Sequence, residues 1–563
     1  MAGTILTPNS IWSGFEIRSQ LSAEIISEKK SGDVILSKIR IEGRPTKDGQ
    51  VMIYATLAKN IQQGVMPAIL FVQDFNSKAD DVLIKDLAKR GYTVLSVDLT
   101  GKVDGEEYYT EYPESVSYAN YVSVKDSLYH IEGSAIDSCW YEWGCVLRYA
   151  LAFLKKDPSV TKVGGFGISE AATALWEVAG TDKDLDCAVF ALNTGWVGYR
   201  GINKFGGAVE PQFSDDMYKF IAGVEPQAYA MHVKCPTLTL SATNSKLYDC
   251  DRAYDTLNKI GKDVYKAIHY SVGYRERVSG EAYRTAVTFF DDFLMKATRN
   301  CSLPLEVEIK CDVADGQLKI TVDLDDKDLN SVAVYVAEQT VEPTLRCWHK
   351  VVESKKEEDG YVFWYLPYNG SGAVTAFAQA EYSNGMVIGS KILYKKFNAE
   401  EILPTYKSNI IYTSRTLGGE SVFAAAEQDK VDDMSVNVLD KKRVVTKKGP
   451  MGIVGVYSEW GLLTFKINAE KDRPKEDAML MLDVYCKGGG ELLVKLIADY
   501  FGQKTEYLSR MKIPAGNVWN NFKVEPSRFK TAEGMCLKSY AKIQAVEFLV
   551  DGGDYLINNV LWV

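Results

Sequence analysis

Histidine is scarce in this chain: 563 residues hold four, at positions 130, 232, 269 and 349. Any imidazole that acts as a base must come from those four positions. Cysteine is sparse as well, ten in all with no C-x-x-C pair. Cys187, Cys235 and Cys486 sit inside apolar, strand-like runs, where a thiol usually serves as a small buried hydrophobe. Neither a disulfide framework nor a metal site is expected from such usage, and a reducing, cytoplasmic compartment is. Long apolar runs are missing too. Stretches such as Ala68–Val72 and Ala188–Leu192 fall far short of the roughly 18 residues a membrane span needs. Residues 1–16 show neither a basic start nor the apolar stretch of a secretory signal. Basic excess is absent: 65 Lys and Arg stand against 75 Asp and Glu, a net charge of −10. That balance argues against nucleic-acid and anionic-membrane partners.

What is present is ordinary globular composition, with 46% hydrophobic and 25% charged residues. At roughly 100–200 residues per domain the length implies several cores. Three regimes follow one another. Up to about residue 298, short apolar runs alternate with amphipathic ones. Val51–Leu57, Ala68–Val72, Tyr92–Asp98, Lys162–Phe166, Cys187–Leu192, Thr237–Ser241 and Tyr265–Ser271 read as strands. Asp80–Arg90, Cys139–Lys156, Glu170–Ala179, Asp251–Ile260 and Glu281–Met295 read as helices. Continuous apolar strands separated by helices predict an α/β class, a doubly wound, mostly parallel sheet covered on both faces. Segments 108–138 and 196–232 break the alternation and suit lids. Between 303 and 397 the period becomes two, as in a β-sandwich, with Asn384-Gly385 as a hairpin turn. From 405 to 563 a third, also all-β, regime has the length of a jelly roll.

The sharpest local signal runs from Lys162 to Ala172. A strand enters Gly164-Gly165-Phe166-Gly167, then Ile168-Ser169-Glu170-Ala171-Ala172 opens a helix. This is the context of a nucleophile elbow, G-x-S-x-G, with alanine in place of the last glycine. A serine beginning a helix is also an ordinary cap. With this site the chain resembles the acetyl xylan esterase and dienelactone hydrolase-like branch of the α/β-hydrolases, over roughly 43–296. Pro67–Val72, Gly91–Leu95 and Cys235–Leu238 stand where those proteins place strands three, four and seven. The resemblance implies hydrolysis of small ester groups on carbohydrate, with Ser169 as nucleophile and the backbone N–H groups of Gln73 and Glu170 as oxyanion donors. It implies no cofactor.

Departures from that pattern concern the chemistry. Acyl transfer needs a base, a carboxylate to orient it, and donors for the oxyanion. Where the resemblance places the histidine, this chain has Arg275, which stays protonated and cannot act as a base. At the acid position stands Ser245, with Asp249 as an alternative acid nearby. His130, from the first lid segment, is the alternative base. The turn after strand three carries Gln73-Asp74, and a carboxylate there is a poor neighbour for a developing oxyanion. Asp74, Tyr108, Tyr109, Trp143 and Trp196 are candidate pocket residues, the aromatic ones either stacking on a sugar or packing the lids down.

The last regime is similar to carbohydrate-binding jelly rolls, on Trp519–Val524 and Tyr555–Trp562. A hydrolase followed by a jelly roll also resembles the cocaine esterase and X-prolyl peptidase group. Two functions follow: an esterase-like hydrolase acting on acylated glycans, or a non-catalytic protein whose pocket holds a glycan or acyl ligand. The expected partner is a small molecule or glycan, and a homo-oligomer remains open.

Overall fold

A computed structural model of the chain describes residues 4–17, 21–62, 64–75, 81–207, 209–273, 277–295, 303–358, 360–426 and 444–563. Nine strands build the first unit: β1 (Ala23–Ser31), β2 (Val34–Pro45), β3 (Gln50–Asn60), β4 (Met66–Val72), β5 (Thr93–Val97), β6 (Val160–Ile168), β7 (Cys187–Ala191), β8 (Thr237–Ala242) and β9 (Lys266–Ser271). Their spatial order is β1-β2-β3-β5-β4-β6-β7-β8-β9. The steps from β1 to β5 are antiparallel. Those from β5 through β4 to β9 are parallel. Burial explains the difference. Strands β5, β7 and β8 are buried at every position, as strands covered by helices on both faces must be. By contrast β1, an edge strand, is exposed at seven of nine positions, which leaves it no core pattern to read from sequence. Neither β1 nor β2 is among the strands expected from the apolar runs.

The strand order matters for the site. After β4 the chain places β5 on one side and later β6 on the other, so β4 and β6 are parallel neighbours, with Val72 opposite Gly167. Ligand crevices of open α/β sheets form beyond strand ends where the order reverses in this way. Two residues past that register lie Asp74 and Ser169.

The second unit is not detached from the first. Its strands Leu329–Glu338, His349–Val351, Ala373–Tyr382, Val387–Gly389 and Leu393–Lys396 continue the sheet, because Val387–Gly389 pairs with β9 at Gly389 and Ile268. The result is one sheet of 14 strands, faced in the second unit by a four-stranded sheet. Glycine is required at the joint: a Cβ on Gly389 would lie 2.7 Å from the Tyr270 ring. Buried apolar residues run across it without a break, from Phe289, Phe290 and Leu294 to Val334, Ala378 and Ile388. The third unit is built of six- and five-stranded antiparallel sheets, with Val484, Val494, Phe548 and Trp562 among the residues buried in its core. Among the described residues no helix is long and apolar enough to cross a membrane.

Phe377 tests the shared core. It is fully buried and packs on Tyr270 of β9 (4.8 Å), and on Tyr335 and Trp348 of its own unit. Phe377→Ala is expected to cost about 3–5 kcal/mol. Calorimetry should show the α/β and second units melting together at lower temperature. A first-unit transition left in place would contradict a common core.

Candidate active site

Ser169 stands at the tip of a turn between β6 and the helix Ala172–Thr181, with φ at +58°. A non-glycine residue in that left-handed conformation carries strain of order 1–3 kcal/mol and persists only when its surroundings impose it. Here they do. Asn193 Nδ2 donates to the Ser169 carbonyl (2.8 Å) and to Thr173 Oγ1 (2.9 Å), bracing the turn from β7. The strand must also pass close to the helix: a Cβ on Gly167 would lie 3.0 Å from Ala172 Cα. Ala171, where the G-x-S-x-G pattern has its last glycine, is accommodated with full burial.

Two groups flank the Ser169 hydroxyl. Tyr248, from the loop after β8, places its phenol 2.6 Å from Oγ. The other is the Asp74 carboxyl, close enough for the Ser169 hydroxyl and the backbone N–H of Glu170 to favour its charged form. Its Oδ1 accepts the N–H of Phe75 at 3.0 Å. Burial pushes its pKa up to about 6, with the Glu170 charge adding to the rise and the Ser169 hydroxyl and the Phe75 and Glu170 N–H groups opposing it. Burial likewise holds the Tyr248 phenol well above its usual range, assisted by Asp74 and Glu170. Tyr248 thus stays protonated, and its hydroxyl shares a hydrogen bond with Ser169 Oγ.

Segments 108–138 and 196–232 each send a side chain to this cluster. Tyr129 donates to Glu170 Oε1, and Arg200 lies 3.4 Å from the same oxygen with its guanidinium over the Tyr129 ring. The segment that presents Arg200 is held by a buried acid: Glu225 Oε1 accepts the N–H of Val197 (2.6 Å) and of Gly198. Burial raises the Glu225 pKa to about 7.

The other expected residues disperse. Ser245 is buried and its Oγ accepts the N–H of Leu247 and Tyr248, which shapes the loop and makes it a turn residue. Asp249 caps the helix Cys250–Leu257 through the Asp251 N–H and pairs with Arg252, so its carboxylate is spent on local structure. His130 has a side chain 62% exposed, 3.9 Å from Asp216, and makes no hydrogen bond to Ser169. Arg275 lies outside the described residues. Trp143 is a core residue: fully buried, it packs tilted against Phe75 and edge-to-face against Trp140 and donates to the Ala119 carbonyl. Trp196 turns to Thr256 Oγ1 (2.8 Å). Gln73, Asp74, Tyr108 and Tyr109 do come together, around a cavity of about 600 Å³ beyond β4 and β5. Tyr54 stacks on Tyr108 there, with Lys38 above it. Among the described residues no group of three or more His, Cys, Asp or Glu is disposed to hold a metal ion.

Sequence reasoning passed over Tyr248, Asn193 and Arg200, which carry no motif. For Asp74 it noted the misplaced charge without its hydrogen bonds.

The strand order, the left-handed serine and the helix behind it define the fold. It is an α/β-hydrolase fold. No family model matches the chain, and no curated protein does. Several solved structures are similar to part of it. A cold-adapted esterase from an Arctic intertidal metagenomic library is 16% identical over 48% of this chain and 98% of its own, with a TM-score of 0.34. An acetyl xylan esterase from Paenibacillus sp. R4 is 13% identical over 51% of this chain and 92% of its own, with a TM-score of 0.38. A putative dienelactone hydrolase from Klebsiella pneumoniae is 15% identical over 42% and 85%, with a TM-score of 0.28.

The raised Asp74 carboxyl makes stability depend on pH. Its folded pKa of about 6 exceeds the ordinary 3.8, so between those values the folded chain keeps a proton that the unfolded chain has released. That contribution is complete below 3.8 and is lost as pH rises through 6. Asp74→Asn removes the dependence. Measured by denaturant unfolding, the variant should gain up to about 3 kcal/mol on the parent between pH 4 and pH 8. A difference that does not change with pH would contradict the burial of a charged carboxylate.

Proposed function

We propose that the α/β unit is an esterase-type scaffold that binds a small hydroxyl-rich ligand, a glycan or its acyl derivative, without hydrolysing it. One observation carries the reading. The Asp74 carboxylate stands beside both the Ser169 hydroxyl and the Glu170 N–H. A carbonyl oxygen arriving at that N–H would meet a carboxylate, and like charges in a water-poor site repel strongly. No histidine hydrogen-bonds Ser169, and Tyr248 is held as a neutral phenol. The cavity beside Asp74 supports binding instead. Its walls offer the hydroxyls of Thr56, Ser96 and Tyr109, the Tyr108 ring, and the carboxylates of Glu106 and Glu107. Such a mixture of aromatic faces and paired donors and acceptors suits a sugar. The third unit, read as a jelly roll, would add a second surface for the same class of ligand.

A second reading rests on Asp74 itself. A carboxylate with a pKa of about 6 that accepts the Ser169 proton is a base, and Tyr248 could then serve as an oxyanion donor.

A fluorophosphonate probe separates the two, applied to intact protein from pH 5 to 8 with Ser169→Ala as control. The binding reading predicts no label at Ser169 at any pH. Calorimetry with a panel of disaccharides and their acetates should then give binding that Tyr108→Ala weakens at least tenfold. Labelling at Ser169 that rises through pH 6 and vanishes in Asp74→Asn would establish the second reading. Absence of both label and binding would overturn the assignment of the cavity.

A further inference from the structure

The segment that carries Tyr248 does not stand on its own unit. At its start, Asn244 Nδ2 donates to the carbonyls of Thr344 (3.0 Å) and Arg346 (2.8 Å) in the second unit. At its end, Asp251 receives both Nη1 and Nη2 of Arg346, at 2.5 and 2.6 Å. Neither side chain of that ion pair has any solvent exposure. Between these two footings Ser245 shapes the turn, and Tyr248 reaches across to Ser169.

Arg346 is fully committed. Its Nε donates to the Thr340 carbonyl and Nη2 to that of Val341, so the guanidinium holds its own loop while gripping Asp251. The loop in turn is held by the third unit. Leu345, next in the chain, points the other way and is buried with Leu463, Phe465, Ile497 and Tyr500. Gln339 Oε1 accepts the Lys471 N–H at 3.1 Å, and Glu338 pairs with the Lys471 ammonium. Two consecutive residues thus face opposite units, one apolar and one charged.

We propose that Arg346 is a positioning residue for the Ser169 site, supplied by the second unit and kept in place by the third. The site is then assembled from all three units. Arg346 fixes both ends of the arch 244–251, and the arch fixes the Tyr248 phenol on Ser169. The inference holds whether the site binds or turns over its ligand, because it concerns only what orders Tyr248. A buried ion pair broken on one side leaves an uncompensated charge, so the arch must shift or admit water when Arg346 is lost. Lysine would keep the charge but not the paired fork.

The test uses the full chain carrying Ser169→Cys, with the rate of iodoacetamide alkylation at position 169 read by peptide mass spectrometry. Buried cysteines such as Cys187 and Cys486 report global opening in the same sample. Adding Arg346→Met should raise the rate at position 169 at least tenfold while the rates at Cys187 and Cys486 stay unchanged. Arg346→Lys should recover part of the protection. Leu345→Ala should move the rate in the same direction, whereas Phe529→Ala, in the third unit's core and away from the loop, should not. If Arg346→Met does not fold, Asp251→Asn and Leu345→Ala carry the same comparison. A lowered melting temperature with the rate at 169 within twofold of the parent would overturn the proposal, leaving Arg346 a structural ion pair. No response to Leu345→Ala would overturn the third unit's part in it.

Discussion

The Asp74 carboxylate sits between a serine hydroxyl and a backbone amide, and most of what is distinctive about the α/β unit follows from that placement. Its position is dictated by topology. Because β4 and β6 are parallel neighbours in register, the residues just past each strand must meet. In a scaffold of this kind the meeting place would receive a substrate oxygen. On the proposed reading the chain supplies the oxygen itself, and with it a negative charge that burial makes costly. The left-handed Ser169 and the braces from Asn193 keep the strained turn intact, with Tyr248 and no histidine bonded to its hydroxyl.

Around that contact the molecule is closed and continuous. Tyr129 and Arg200 meet over Glu170, and Glu225 holds the segment that presents Arg200. The sheet extends through Gly389 into the second unit, so the α/β core has no free edge at β9. A buried Arg346–Asp251 pair joins the same two units at the loop after β8. Ion pairs of this kind contribute little net stability compared with apolar packing, but they specify one arrangement strongly, since either partner alone is untenable. That is the property a shared site needs.

Much of this was legible in the sequence. The helix Cys139–Lys156 follows its 3.6-residue apolar period over five turns, and its bounds agree with those read beforehand. The apolar strands β4 and β7 declared a covered sheet, and small residues ahead of Ser169 declared the turn. What could not be read has physical reasons. Strand β1 is charged and exposed on both faces, so its register comes from pairing with β2 alone. Trp143 has the same chemistry in a lid as in a core, and only packing against Phe75 decides. Tyr248 and Ser169 lie 79 residues apart, and no local pattern marks a phenol that will bond the serine hydroxyl. Ser245 and Arg275 are departures that the sequence shows, but nothing in it points to Asp74 lying beside Ser169.

The most direct measurement is a carboxyl ¹³C NMR titration of Asp74, assigned by loss of the resonance in Asp74→Asn and repeated in Ser169→Ala. The account predicts a midpoint near pH 6 in the parent, displaced upward when the Ser169 hydroxyl no longer donates. A midpoint at or below the ordinary 3.8, or one indifferent to Ser169, would mean that Asp74 faces water and that the oxyanion position is open.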